Sequence, residues 1–159
     1  MAERPANAGQ SLGFVAPLGE LVWTLAALER RLALGLSVAL SEESTTMDQW
    51  RILETLDRLD SPTMGELAEA TGMANASLSR TVDSLEDAAS AFRLPTMTDR
   101  RRITVHLSDL GQQRLERTRE IVAAWERTIE NRLGADALAA LLGAADTATR
   151  ALDGTGTEL

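Results

Sequence analysis

The chain has 159 residues, no cysteine, a single histidine and a formal net charge of −8. That length suits one domain with a core of its own, and the missing thiols exclude disulfides, thiolate metal sites and cysteine-based redox sensing. Aromatic residues make up 3% of the chain and tyrosine is absent, so a mainly α protein is expected.

Residues 1–14 are polar, hold Pro5, Gly9 and Gly13, and read as a flexible N-terminal arm. The arm lacks the charged start, apolar run and cleavage site of a secretory signal. The apolar run over 32–40 is too short to cross a bilayer, and a cytoplasmic protein is expected. Pro17 suits a first helical turn. Leu18, Leu21, Val22, Leu25, Leu28, Leu32 and Leu36 then recur every three or four residues. An intrachain core helix fits this stripe, and so does a helix that partly faces a second protomer. A polar loop follows from Ser41 to Thr45. Thr46 and Gln49 have capping-box spacing, and Met47, Trp50, Leu53, Leu56 and Leu59 give the next helix its buried face. Asp60-Ser61-Pro62 ends it.

The stretch 63–107 carries the densest signal. Thr63 and Glu66 repeat the capping-box spacing, Leu67, Ala68 and Ala70 form a small apolar side, and Gly72 supplies a turn residue able to take positive φ. In the next helix Leu78, Val82 and Leu85 face one way, into a core. The other face holds Asn75, Ala76, Ser77, Ser79, Arg80 and Asp83. Short side chains there allow close approach to base edges, and Arg80 can bond guanine bidentately. Ile103, Val105 and Leu107 alternate with Thr104 and His106, which is strand periodicity with one buried face. Arg100, Arg101 and Arg102 precede that strand at the expected hairpin tip. Helix, turn, helix and hairpin together predict a winged helix-turn-helix. Its hydroxyls at Thr63, Ser77, Ser79 and Thr81, with the amides of helix starts, are the expected phosphate contacts.

After the wing, Ser108 can cap a helix running through Leu115, Val122, Trp125, Ile129 and Leu133, roughly 24 residues long. Gly134 stops it and Asp136 can cap the last helix, with an apolar face of Leu138, Leu141, Leu142, Ala145, Ala148 and Leu152. Residues 153–159 read as a flexible tail. No catalytic set can be assembled around His106, which is placed on the polar side of its strand, and the carboxylates are dispersed on helix faces. No enzyme activity, cofactor or metal is expected. Charge is unevenly spread: residues 71–107 hold five arginines against four acids, and the rest of the chain eleven against twenty. There is no lysine.

The segments Trp50-Arg51-Ile52-Leu53, Gly65-Glu66-Leu67-Ala68, 77–86 and 99–111 resemble the MarR family of bacterial transcriptional regulators. Asp99-Arg100-Arg101, the alternating strand and Ser108-Asp109-Leu110-Gly111 are the most specific of them. The resemblance spans about residues 15–150 in order. It implies a winged helix DNA-binding region over 41–107 and a helical dimerisation region over 15–40 and 108–152, from the N- and C-terminal ends. It further implies a homodimeric, sequence-specific regulator, most often a repressor, on a pseudo-palindromic double-stranded DNA operator. The DNA-binding set is Thr63, Asn75, Ala76, Ser77, Ser79, Arg80, Thr81, Arg100, Arg101 and Arg102, with Arg101 reaching DNA and Arg100 or Arg102 pairing with Asp99. A small aromatic or apolar effector is expected near Trp23, Met47 and Trp50, although core filling also accounts for all three tryptophans, Trp125 included. Two departures stand out. Ala74 replaces the usual hydroxyl cap of the recognition helix, leaving that role to Asn75. Ala89-Ser90-Ala91 replaces the usual Gly-Leu-Val, which predicts a short first wing strand. A helical protein–protein interaction module whose winged helix does not read DNA is the alternative reading.

Overall fold

The computed structural model describes residues 18–95 and 102–153. Helices α1 (Leu18–Leu40), α2 (Met47–Leu59), α3 (Met64–Thr71) and α4 (Asn75–Asp87) come first. Strands β1 (Ala91–Pro95) and β2 (Ile103–Leu107) follow, then helices α5 (Asp109–Leu133) and α6 (Ala135–Asp153). A 3-10 turn over Ser41–Glu43 joins α1 to α2 where a polar loop was expected. The mainly α winged helix-turn-helix is present. The strands pair antiparallel, Ala91 opposite Leu107 and Pro95 opposite Ile103.

The chain divides after Leu34 into two compact units. Residues 18–34 form the first part of α1, on which Leu18, Val22 and Trp23 are strongly exposed. The second unit holds the core. Ile52, Leu53 and Leu56 of α2 pack with Leu67 of α3, Leu78, Val82 and Leu85 of α4, Ala91 of β1, Val105 of β2 and Leu115 of α5. A smaller cluster joins Leu36 and Leu40 to Val122, with Met47, Trp50 and Trp125 packed against it. Helix α6 buries no residue at all, and its Leu142 and Leu152 are strongly exposed.

The element boundaries follow from local chemistry. Both capping boxes form: Thr46 with Gln49 and Thr63 with Glu66, each pair satisfying two orphan amides. Gly72 ends α3 at φ 66°, and Gly134 ends α5 at φ 84°. Ser108 caps α5 by accepting from the Gly111 amide at 2.9 Å. Asp136 is not a cap, because α6 begins at Ala135 directly after Gly134 and encloses Asp136 in its first turn.

Two further corrections concern the wing. The first strand is as long as the second, five residues each, and Ala91 is buried. The strand forms because Ala89 itself takes a left-handed conformation, φ 51°, and makes the turn that a glycine would make. On β2 only Val105 is fully buried, while Ile103 at the open end is 46% exposed.

Candidate nucleic-acid interface

Helix α4 is held by its inward face and by three polar ties. Gln49 on α2 donates to the Ser84 hydroxyl at 2.9 Å while its carbonyl oxygen accepts from the Thr46 amide. On the wing side, the backbone amide of Arg93 donates to Glu86 at 2.8 Å. The Arg93 guanidinium bonds Asp83 at 2.7 Å and also pairs with Glu86. Arg93 therefore fastens β1 to the recognition helix, a role with no local signature in the sequence.

With those faces occupied, Asn75, Ala76 and Arg80 are exposed on α4, and Ser77, Ser79 and Thr81 are half-buried. Arg80 lies along its own helix, Nε donating to the Ala76 carbonyl at 3.1 Å. It has no carboxylate partner among the described residues, so its terminal nitrogens remain available for a bidentate contact. The Thr81 hydroxyl is turned back onto the Ser77 carbonyl at 2.9 Å. The expectation that Asn75 caps the helix is not met. Ala74 is the N-cap and makes no side-chain bond, so α4 begins with amides that no side chain satisfies.

Thr63 is committed to its cap, where its amide and its hydroxyl both donate to Glu66 at 2.7 Å. Those two bonds, the backbone one first, and then Arg102 hold the Glu66 carboxyl below the usual carboxylate range. Arg102 approaches Glu66 at 3.4 Å, a partner on α3 that the sequence did not point to. Arg100, Arg101 and Asp99 lie outside the described residues.

The hairpin root is tied to the turn before α3. The Val105 amide donates to the Pro62 carbonyl at 2.9 Å, and Thr63 bridges to Thr104. His106 is half-buried there, its Nδ1 2.8 Å from the Ser61 hydroxyl and its Nε2 2.9 Å from the Thr104 hydroxyl. Phe92 stacks on its ring, centroids 5.2 Å apart.

Behind the reader, Arg114 bonds the Ser44 carbonyl, the Thr45 hydroxyl and the Ser90 hydroxyl, joining α5 to the loop after α1 and to the α4–β1 turn. Burial lowers its pKa from the arginine range. Arg119 grips Glu54 and Asp57 of α2, and the hydrogen bonds it donates to these carboxylates, Glu54 first, raise its pKa.

Met47 and Trp50 pack together on the smaller cluster, and the Trp50 indole donates to Glu54 at 3.2 Å. Trp50 also lines a cavity of about 670 Å³ with Ala70 and Arg119. Trp125 lines a different one, about 500 Å³, with Val38, Glu42 and Ile121. Its indole lies where a Cβ on Gly35 would come to 3.0 Å. Trp23 belongs to the first unit and is 75% exposed, so it is not a core filler of that unit. Among the described residues no group of acidic and histidine side chains could hold a metal ion, and no helix is long and apolar enough to cross a membrane.

Residues 44–102 match the MarR family. No curated protein matches the chain. Among solved structures, the chain is similar to the transcriptional repressor CouR bound to a 23-mer DNA duplex, at 25% identity and TM-score 0.78, over 89% of this chain and 99% of that one. It is also similar to a mutant MarR from E. coli complexed with operator DNA, at 23% identity and TM-score 0.74, over 88% and 99% of the two chains. A third similar structure is BpsR of Bordetella bronchiseptica, whose DNA binding is regulated by 6-hydroxynicotinic acid. It is 15% identical with TM-score 0.74, over 82% of this chain and 98% of that one. The last two likenesses speak for the fold alone.

Proposed function

We propose, from the match of residues 44–102 to the MarR family, that the chain acts as a homodimeric repressor under the control of a small molecule. The protein is a DNA-binding transcriptional regulator. The observation that carries the reading is the exposed face of α4. It presents Arg80 free of any carboxylate among the described residues, beside a wing that Arg93 locks to the same helix.

In this reading Arg80 reads a base edge in the major groove, with Asn75, Ala76 and Ser79 allowing the approach. The amides at the start of α4, together with the hydroxyl of Ser77, contact phosphates, while the Thr63 hydroxyl stays with its cap. Arg100, Arg101 and Arg102 form the wing's basic tip, with Arg101 entering the minor groove. Apolar side chains left uncovered on α1 and on α6 supply the dimer contacts. A two-fold dimer sets its recognition helices about 34 Å apart, one turn of a pseudo-palindromic operator. An aromatic or apolar effector held at Met47 and Trp50 would act by binding one spacing of the recognition helices better than another. BpsR, regulated by 6-hydroxynicotinic acid, is the structural neighbour that supports looking for one. The protein works without catalysis, cofactor or metal, in the cytoplasm.

The test is a binding titration on the DNA upstream of its own gene, repeated across salt concentrations. Saturable, sequence-preferring binding that weakens as salt rises is expected. Equal affinity for unrelated DNA, or none, would overturn the reading in favour of a protein-binding winged helix.

A further inference from the structure

Arg80 and Asp83 are both exposed on α4, three residues apart. Residues three or four apart on a helix are surface neighbours, and opposite charges at that spacing attract. The side chains at those spacings from Arg80 are Ala76, Ser77, Asp83 and Ser84. Asp83 is the one charged group among them. Local rules therefore pair Arg80 with Asp83, and a guanidinium so occupied has fewer donors left for a base edge.

The structure holds the two apart. The Asp83 carboxylate accepts from Arg93 Nη1 at 2.7 Å, while Arg80 Nε donates to the Ala76 carbonyl of its own helix. Among the described residues Asp83 forms its ion pair with Arg93, and Arg80 forms none. The bond to Asp83 is surplus to the brace between helix and wing. Glu86 already ties β1 to α4 with both of its oxygens, Oε1 accepting from the Arg93 amide at 2.8 Å and Oε2 from the Arg93 guanidinium. Glu86 is also the more buried carboxylate, 30% exposed against 57% for Asp83. Nη1 has two protons and gives one to each. What the second contact alters is the charge beside Arg80.

That alteration matters most when DNA is bound. An exposed pair at this spacing is weak in water. Once a duplex covers α4, water leaves and a charge without a partner becomes costly. There an unheld Asp83 would compete with guanine for Arg80. We infer that Arg93 is a positioning residue for base readout: by holding Asp83, it keeps the guanidinium of Arg80 free for a base edge.

The inference rests on the DNA-binding reading, and the experiment keeps the two apart. Binding of the full chain is measured on the DNA upstream of its own gene and on single base-pair variants of it. The position where wild type discriminates and Arg80→Ala does not belongs to Arg80, with about tenfold or more expected for a bidentate contact. Arg93→Gln has no charge to hold Asp83 and should lose that discrimination, down to the Arg80→Ala level. Adding Asp83→Asn should restore it toward wild type, a rescue that a purely structural brace does not give. Asp83→Asn alone should discriminate as wild type does. Circular dichroism checks each fold. If Arg93→Gln is unfolded, Arg93→Gln/Glu86→Gln, which leaves no orphaned carboxylate at position 86, takes its place with and without Asp83→Asn. Unfolding of both overturns the inference by making the fold, not Arg80, what Arg93 serves. Discrimination kept without Arg93 overturns it, and so does failure of Asp83→Asn to rescue. Discrimination lost in Asp83→Asn alone overturns it by making Asp83 a reader itself. Base preference intact throughout in Arg80→Ala overturns this inference and leaves DNA binding standing, whereas a wild type without sequence preference overturns both readings.

Discussion

Gly111 sits where α5 meets the turn that feeds the wing. A Cβ placed on it would lie 1.9 Å from the Ser90 carbonyl oxygen and 2.9 Å from the Ser90 carbonyl carbon, both backbone atoms. Gly111→Ala therefore requires the α4–β1 turn to retreat by about 1 Å, since close-packed interiors offer no slack. Three bonds hold that turn in place. The Ser108 amide donates to the Ser90 carbonyl at 3.2 Å, the Ser108 hydroxyl to the Ala89 carbonyl at 2.6 Å, and Arg114 to the Ser90 hydroxyl at 3.3 Å. At about 1 kcal/mol each, their loss costs about 3 kcal/mol. Alanine returns up to about 1 kcal/mol of helix propensity. A net destabilisation of about 2 kcal/mol is expected, as a lower urea midpoint with unchanged slope at fixed protomer concentration. Gly65→Ala is the internal control. Its Cβ meets nothing nearer than the Thr63 hydroxyl at 4.0 Å, so only the propensity gain remains. A Gly111→Ala midpoint equal to or above wild type would refute the packing account of Ser108-Asp109-Leu110-Gly111.

Ala89→Gly should stabilise the protein by about 1 kcal/mol, because a glycine relaxes the left-handed φ of 51°; an unchanged or lower urea midpoint counts against strain at that turn. Arg80→Ala should weaken operator binding by about 1–3 kcal/mol per half-site and relax preference at one base position, with helix content unchanged. Intact affinity and base preference would remove Arg80 from the readout. The Glu66 carboxyl lies below its ordinary range in the folded chain, so its contribution is present above the unfolded pKa and is lost as pH falls through the lowered folded one. Thermal melts should therefore show a shallower acid decline for Glu66→Gln, whose amide oxygen can still accept from Thr63, and identical acid limbs would discount the contribution. Leu142→Arg, at a position 63% exposed on α6, should lower the light-scattering mass toward that of a monomer; a dimer that persists at micromolar protein would move the interface elsewhere.

Much of the fold was legible because its punctuation is local. A capping box is a relation between residues three apart, and both of them form, at Thr46 and Thr63. Gly72 and Ser108 likewise declare their positions through their own chemistry. Local rules failed where a neighbour overruled them. Asn75 has the composition of a cap but falls inside α4, and Ala89 bends as a glycine would. The contacts that orient the site were not legible. Gln49 meets Ser84 across 35 residues, and Ser61 meets His106 across 45. One sequence records which groups exist, not which of them the core brings together. Arg93 shows the difference. It counted only as one more positive charge, whereas the structure spends it on two carboxylates of the recognition helix.

That use of Arg93 also explains how a chain with net charge −8 can carry a DNA reader. Asp83 and Glu86 on α4 are a liability beside phosphate only while they are unpaired. Paired with Arg93 they become the brace between helix and wing, and Glu66 does the same toward Arg102. The acids nearest the groove are thus neutralised by arginines that also fix geometry, and Arg80 is left unpaired on the face that would meet base edges. Pairing these arginines leaves fewer cations for phosphate, which moderates the electrostatic term and its dependence on salt. Nonspecific binding, which draws on that same electrostatic term, is then weak. The remaining −ve charge of the body repels phosphate wherever the operator contacts are not made. In the proposed reading discrimination comes from placing a few side chains accurately, and the ties at Arg93 and Gln49 then bear on specificity alongside Arg80.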